Sequence, residues 1–210
     1  MCLPILNKVV AGTLALYCYT MSMGHCEALG NALKIDKTIK RLLFKNCGLD
    51  DEEFSVILEA CSQMGDFKSL IYHTNNFDEH CITKVAPLLR KKLPLHLDEL
   101  RLINLNITGK ISQELVQELR IKNQLSKLAL VHVNLTDEAF DILIEVVCKS
   151  RNLKELDISW CERNYEDFIP FFEMLSGNRK LSSLNLSCNS LFDHRKGDGG
   201  ELTKDTEDAL

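Results

Sequence analysis

Nine cysteines and six histidines are the side chains best able to do chemistry in this 210-residue chain. Paired thiols could hold zinc, and a thiol beside an imidazole could act as a nucleophile. The spacing favours neither. The cysteines are Cys2, Cys18, Cys26, Cys47, Cys61, Cys81, Cys148, Cys161 and Cys188, an odd number with no CxxC pair. That is not the pattern of a disulfide framework. His25-Cys26 and His80-Cys81 are adjacent pairs, but neighbours on a helix diverge and lack ligand spacing. GxxxxGKS/T, GxGxxG, HExxH and GxSxG are all absent. The residues therefore predict a non-enzymatic chain without metal or cofactor. Its thiols are expected to be free, mostly buried, and kept in a reducing compartment.

Composition narrows the choice of partner. Twenty-five Lys and Arg against thirty Asp and Glu give a net charge of −5, which excludes a generally basic nucleic-acid binder. An apolar fraction of 45% excludes wholesale disorder. The unusual count is leucine, with 35 residues. The question becomes what arranges them.

A phased repeat does. Leu153-Lys-Glu-Leu156-Asp-Ile158-Ser-Trp-Cys161 is followed 28 residues later by Leu181-Ser-Ser-Leu184-Asn-Leu186-Ser-Cys-Asn189. It is preceded by Leu125-Ser-Lys-Leu128-Ala-Leu130-Val-His-Val133 and by Leu97-Asp-Glu-Leu100-Arg-Leu102-Ile-Asn-Leu105. Units beginning at Phe67 and Ile39 continue the series, with spacings of 28, 30, 28, 28 and 28 residues. A weaker copy starts at Ala11, as Ala11-Gly-Thr-Leu14-Ala-Leu16. The two extra residues of the long unit are expected in a loop around Lys91 to Pro94.

The short alternation in each unit predicts a strand. The residue after it predicts a turn, where Cys47, Asn75, Cys161 and Asn189 could satisfy backbone groups, while Leu105 and Val133 break the polar series. The second halves read as helices. Asp50 and Glu53 form a capping box before Phe54, Ile57, Leu58 and Cys61. Thr136 caps a helix carrying Phe140, Leu143 and Val147. Ser112 or Thr108 starts one bearing Leu115 and Leu119. Asn164 starts one bearing Phe168 and Phe171, with Pro170 in an early turn. Cys26, Leu29 and Leu33 mark a helix in the first unit.

The units resemble the leucine-rich repeat, and the 28-residue period with helical second halves resembles its ribonuclease-inhibitor-like subtype. The resemblance covers about residues 11 to 191. It implies an α/β solenoid (a horseshoe) of about seven repeats, with a parallel concave sheet and outer helices, in a domain spanning 1–192. Residues 193–210 carry a net charge of −3 and three glycines, and read as an acidic, disordered tail. Neither end shows a polar capping repeat, so the chain is expected to be part of a longer array or to have its ends covered by a partner, as a monomer or a component of a larger assembly.

The resemblance also implies protein ligands, held on the sheet face. Strand residues between the leucines point there, and the candidates are Arg41, Leu43, Lys45, Ile71, His73, Arg101, Ile103, Lys127, Val131 and Asp157, with Trp160 just beyond its strand. Ser69, Ala129 and Ser159 belong to the same outward set. Apolar groups interleaved with Arg and Lys suit a protein interface. The expected function is a cytoplasmic, non-catalytic scaffold binding a protein partner, with no nucleic acid and no membrane. Two alternatives stay open. One is a regulator of a small GTPase, because Ran GTPase-activating proteins share the repeat subtype. The other is a secreted recognition domain, because Lys8, the apolar run to Tyr19 and Ser22-Met-Gly24 form a passable leader, and Asn106, Asn134 and Asn185 sit in glycosylation sequons.

Overall fold

In the computed structural model, residues 9–74, 97–105, 110–121 and 124–191 are described, without the side chains at 51, 110, 111 and 121. Eight strands form one sheet in chain order. They are β1 (Val9–Val10), β2 (Thr13–Tyr17), β3 (Arg41–Lys45), β4 (Ser69–His73), β5 (Glu99–Leu105), β6 (Lys127–Val133), β7 (Glu155–Asp157) and β8 (Ser183–Asn185). From β2 onward every pairing is parallel, and the register joins equivalent template positions: Leu14, Leu42, Leu70, Leu100, Leu128, Leu156 and Leu184 lie side by side.

Among the described residues, five helices alternate with these strands. They are α1 (Met23–Ile35), α2 (Asp51–Ser62), α3 (Lys110–Ile121), α4 (Asp137–Lys149) and α5 (Tyr165–Leu175). The phased leucines and the apolar helix positions share a single core. Leu14, Leu42, Phe44 and Leu70 from strands, and Leu29, Leu58 and Val147 from helices, are fully buried. The period matters because each unit presents its apolar face where the next unit needs one.

The expected caps are in place. The Asp50 carboxylate accepts from Glu53 N at 2.9 Å and Asp50 N donates to Glu53 Oε2 at 3.2 Å. Thr136 Oγ1 accepts from Ala139 N at 3.2 Å. Asn164 N donates to Asp167 Oδ2 at 2.9 Å, one residue before α5. Ser112 differs from expectation. It lies inside α3, buried, and its Oγ accepts from Thr136 N at 3.2 Å, so it joins neighbouring units. Pro170 sits in the second turn of α5. The apolar run beginning at Val9 forms β1 and β2, with Leu14 and Leu16 completely buried.

A hairpin closes the first edge of the sheet. β1 is antiparallel to β2, and both turn residues, Ala11 and Gly12, have positive φ, as a two-residue primed turn requires. A Cβ on Gly12 would lie 2.8 Å from the Thr38 carbonyl, so only glycine fits. The antiparallel strand covers the edge that a parallel array would otherwise leave open. At the other end Leu184 is 36% exposed, although it occupies a core position of the template.

No described helix is long and apolar enough to cross a membrane. Cys2, Cys81, His80, Asn75, Asn106, Thr108, the Lys91–Pro94 loop and the 193–210 tail lie outside the described residues.

Candidate protein-binding face

Three ladders tie successive units together. In the first, at the strand starts, equivalent carbonyls accept from the unit that follows: Lys68 N donates to Lys40 O at 2.8 Å, and Ser182 N to Lys154 O at 2.8 Å. In the second, the polar turn residue reaches back one unit. Cys47 Sγ donates to Leu16 O at 3.4 Å, Cys161 Sγ to Leu130 O at 3.0 Å, and Asn189 Nδ2 to Ile158 O at 2.9 Å. These three acceptors occupy the same template position. The expectation that this side chain satisfies the turning backbone therefore holds at Cys47, Cys161 and Asn189, while Asn75 lies outside the described residues. Burial pushes the Cys161 thiol up to about 11, so it stays a neutral donor.

The third ladder was not legible from the sequence. Cys18, Asn46, Thr74, Asn104, His132, Trp160 and Cys188 recur at one and the same template position, all with φ between 45° and 61°. Five of them donate their backbone N–H to the next unit: Cys18 to Lys45 O, Asn46 to His73 O, Thr74 to Ile103 O, His132 to Ser159 O and Trp160 to Ser187 O. Only Asn46, Asn104 and His132 are residue types enriched in this conformation. Packing imposes it on the others, and no residue-type signal announces it. One consequence is that Trp160 is held 58% exposed in a turn, with φ of 59°.

The sheet face away from the helices carries the predicted site residues in three rows. The row nearest the strand starts contains Arg41, Ser69, Glu99, Lys127 and Glu155; the middle row Leu43, Ile71, Arg101, Ala129 and Asp157; the third Lys45, His73, Ile103 and Val131. Ser69, Ala129 and Ser159, expected to face outward, are buried. Short side chains on a crowded face are covered by longer neighbours, and Ser69 Oγ donates to Glu99 Oε2 at 2.8 Å.

The charges divide the face in two. Across β5 to β8 they are spent on one another. Arg101 Nε donates to Glu99 Oε1 at 2.6 Å and its Nη2 lies 3.8 Å from Glu155 Oε2. Lys127 Nζ donates to Glu155 Oε1 at 2.6 Å, and Asn185 Nδ2 to Asp157 Oδ2 at 3.1 Å. Burial raises the Glu99 carboxyl, but hydrogen bonds from Ser69 and Arg101 outweigh it and hold the group below the ordinary value. Across β2 to β4 the cations are not spent. Among the described residues neither Arg41 nor Lys45 has a carboxylate partner, while the nearby Lys40 and Lys68 both pair with Asp66. Leu43 and Ile71 are half-buried between them, and Tyr17 is 57% exposed beside Lys45. His73 is held below its ordinary value by burial and then by the Lys45 ammonium.

A second constellation escaped sequence reasoning altogether. Arg163 is 6% exposed and ties α4 to α5. It donates to Leu135 O at 2.8 Å, Asp137 Oδ1 at 2.6 Å, and Asp167 Oδ2 from Nε at 2.9 Å and Nη2 at 2.7 Å. It also lies over the Phe140 ring at 5.1 Å. The network is structural: it satisfies a loop carbonyl and joins two helix starts. Elsewhere His25 Nδ1 lies 3.0 Å from Ser22 Oγ at the start of α1 while Cys26 is buried, so this adjacent pair divides between cap and core. Among the described residues no group of three or more His, Cys, Asp or Glu side chains converges as metal ligands would.

No protein-family model matches the chain, and no curated protein matches it. Solved structures do. A tropomodulin C-terminal domain from Caenorhabditis elegans shares 13% identity, covers 75% of this chain and 93% of its own, and superposes with a TM-score of 0.58. Actin-binding site 2 of leiomodin-1 shares 20% identity, covers 67% of this chain and 83% of its own, with a TM-score of 0.54. These likenesses correct the ribonuclease-inhibitor-like assignment, because the neighbours belong to a different family of leucine-rich-repeat-like domains. The physical reason is that a 28-residue template states which positions are buried, and families sharing that cross-section bury the same ones. The chain has the α/β repeat-like fold of those domains.

Proposed function

We propose that the chain is a non-catalytic protein-binding module of about seven leucine-rich-repeat-like units. Its sheet is concave in a horseshoe, and the open face takes the partner. The observation that carries this is the half-exposed apolar pair Leu43 and Ile71, bordered by cations without internal partners on an otherwise self-paired face. Contiguous apolar surface with Arg at its margin is what interface anchors need. A cytoplasmic setting is supported by Cys26, Cys47, Cys61 and Cys161, all buried as free thiols. The small-GTPase alternative rested on the repeat subtype and falls with it.

Actin is the first partner to test, since one structural neighbour is an actin-binding site. Purified chain is mixed with monomeric and filamentous actin, and binding is followed by sedimentation and anisotropy. In parallel, proteins recovered on the immobilised chain are compared with those on Leu43→Asp/Ile71→Asp. Loss of the bound protein with an unchanged circular dichroism spectrum is expected. Undiminished binding by the folded double variant would refute the assignment to this face.

A further inference from the structure

Building on the protein-binding reading, we propose that the β2–β4 part of the open face receives an extended acidic segment of the partner, with carboxylates bracketing an apolar anchor. The whole chain is acidic, at −5, yet the β2–β4 part of the face is cationic. Arg41 is exposed and Lys45 half-buried, and neither has a carboxylate among the described residues. Among the described residues, the other Arg and Lys of the open face, Arg101 and Lys127, are already neutralised within it. Lys40 and Lys68, at the rim, share Asp66. Lys45, half-buried and unpaired, carries a desolvation cost that an incoming carboxylate offsets, while the exposed Arg41 offers a planar fork for a charge-assisted bond.

The spacing then specifies the ligand. Arg41 and Lys45 stand on one strand at the two ends of β3, about 13 Å apart at roughly 3.3 Å per residue. Leu43 lies midway between them, with Ile71 on one side and Ala15 on the other. A segment lying extended along β3 would meet this pattern with acidic residues at i and i+4 and an apolar residue at i+2. All three then point the same way, because side chains alternate along an extended chain. Tyr17 and His73 flank Lys45 in the third row and supply aromatic surface for the same anchor.

The test needs no known partner. A random twelve-residue peptide library on phage is selected against the immobilised full chain, and enriched peptides are synthesised with a fluorescent label. Titrations are then run on the wild type, on Arg41→Glu/Lys45→Glu, and on Leu43→Asp/Ile71→Asp. The proposal expects enriched peptides with two acidic residues four apart around an apolar one. It expects at least tenfold weaker binding to both variants, and weakening as salt rises past about 0.1 M. If charge reversal unfolds the chain, as judged by thermal melting, Arg41→Ala/Lys45→Ala serves instead with the same expectation in direction. Three results overturn it: neutral or basic peptides, binding indifferent to the cation variants, or no enrichment at all. Peptides lost on Leu43→Asp/Ile71→Asp but indifferent to the cation variants would sink only the acidic specificity. Peptides indifferent to both would sink the face itself.

Discussion

Arg163→Met should be the most destabilising single substitution outside the apolar core. The wild-type guanidinium is 8% exposed and makes four hydrogen bonds to three groups. Their worth differs. Asp137 is 85% exposed, so that ion pair is worth no more than about 0.5 kcal/mol. Asp167 is only 24% exposed, and its Oδ2 accepts two donors from Arg163 besides the Asn164 N–H; a charged hydrogen bond in that setting is worth about 1.5–3 kcal/mol. The Leu135 carbonyl loses its donor, at about 1–3 kcal/mol for a buried unsatisfied acceptor. Contact with Phe140 adds about 0.5–1 kcal/mol. Methionine fills much of the volume and avoids the desolvation that the guanidinium suffers, which offsets part of the loss. The net expectation is about 2–4 kcal/mol, or roughly 5–15 °C in Tm for a chain of this size. Urea and thermal unfolding followed by circular dichroism measure it. A double-mutant cycle should give strong coupling between Arg163 and Asp167 and nearly none between Arg163 and Asp137. A change under 0.5 kcal/mol, or coupling that favours Asp137, would refute the burial argument.

Two further outcomes follow from the same kind of accounting. Glu99 has a depressed folded-state pKa, so its ionised form stabilises the fold above the unfolded value near 4.3. That contribution disappears as pH falls through the lower folded value. Glu99→Gln should therefore cost about 1 kcal/mol at pH 7 and nothing in strong acid, judged by urea midpoints across pH; a constant difference would contradict the assignment. Alkylation of the native protein at pH 8, mapped peptide by peptide, should label the exposed Cys18 and Cys188 and spare Cys26, Cys47, Cys61 and Cys161 until denaturant is added. Burial pushes the Cys26 thiol to about 12 and Cys161 to about 11, so both resist as neutral thiols as well as by inaccessibility. Early labelling of Cys161 would mean that the turn ladder opens readily.

What the sequence disclosed and what it concealed divide along a physical line. Strand phase, helix placement, the Asp50 and Thr136 caps and the Cys/Asn turn ladder were all legible. Each is a local rule repeated at a fixed interval, so seven weak signals reinforce one another. Arg163 is not repeated. Its partners Leu135, Asp137 and Asp167 come from two units, and a single arginine beside a helix start looks like any solvated charge. The left-handed row is repeated but chemically unmarked, because Cys, Asn, Thr, His and Trp all occupy it. The family assignment failed for a related reason: burial rules constrain the cross-section of a repeat, which more than one family shares. The open face was only half legible. Position in the template placed Arg41, Leu43, Arg101 and Lys127 correctly on one surface, yet it made them look equivalent.

That equivalence is what the side-chain geometry removes, and it decides where binding free energy can come from. Arg101 and Lys127 sit within 2.6 Å of Glu99 and Glu155. A partner approaching them must break existing pairs, so it gains little there beyond exchange. Arg41 and Lys45 impose no such penalty, and the apolar pair between the β3 ends adds area that water now wets. The two halves of one sheet, built from the same repeat, therefore differ in what they can select. On the proposed reading the unpaired half would discriminate by sign, because a basic partner segment would meet two uncompensated cations while an acidic one would relieve them. Specificity in such an array does not need a distinctive repeat. It needs one stretch of the face where the repeat's own charges have been left without partners.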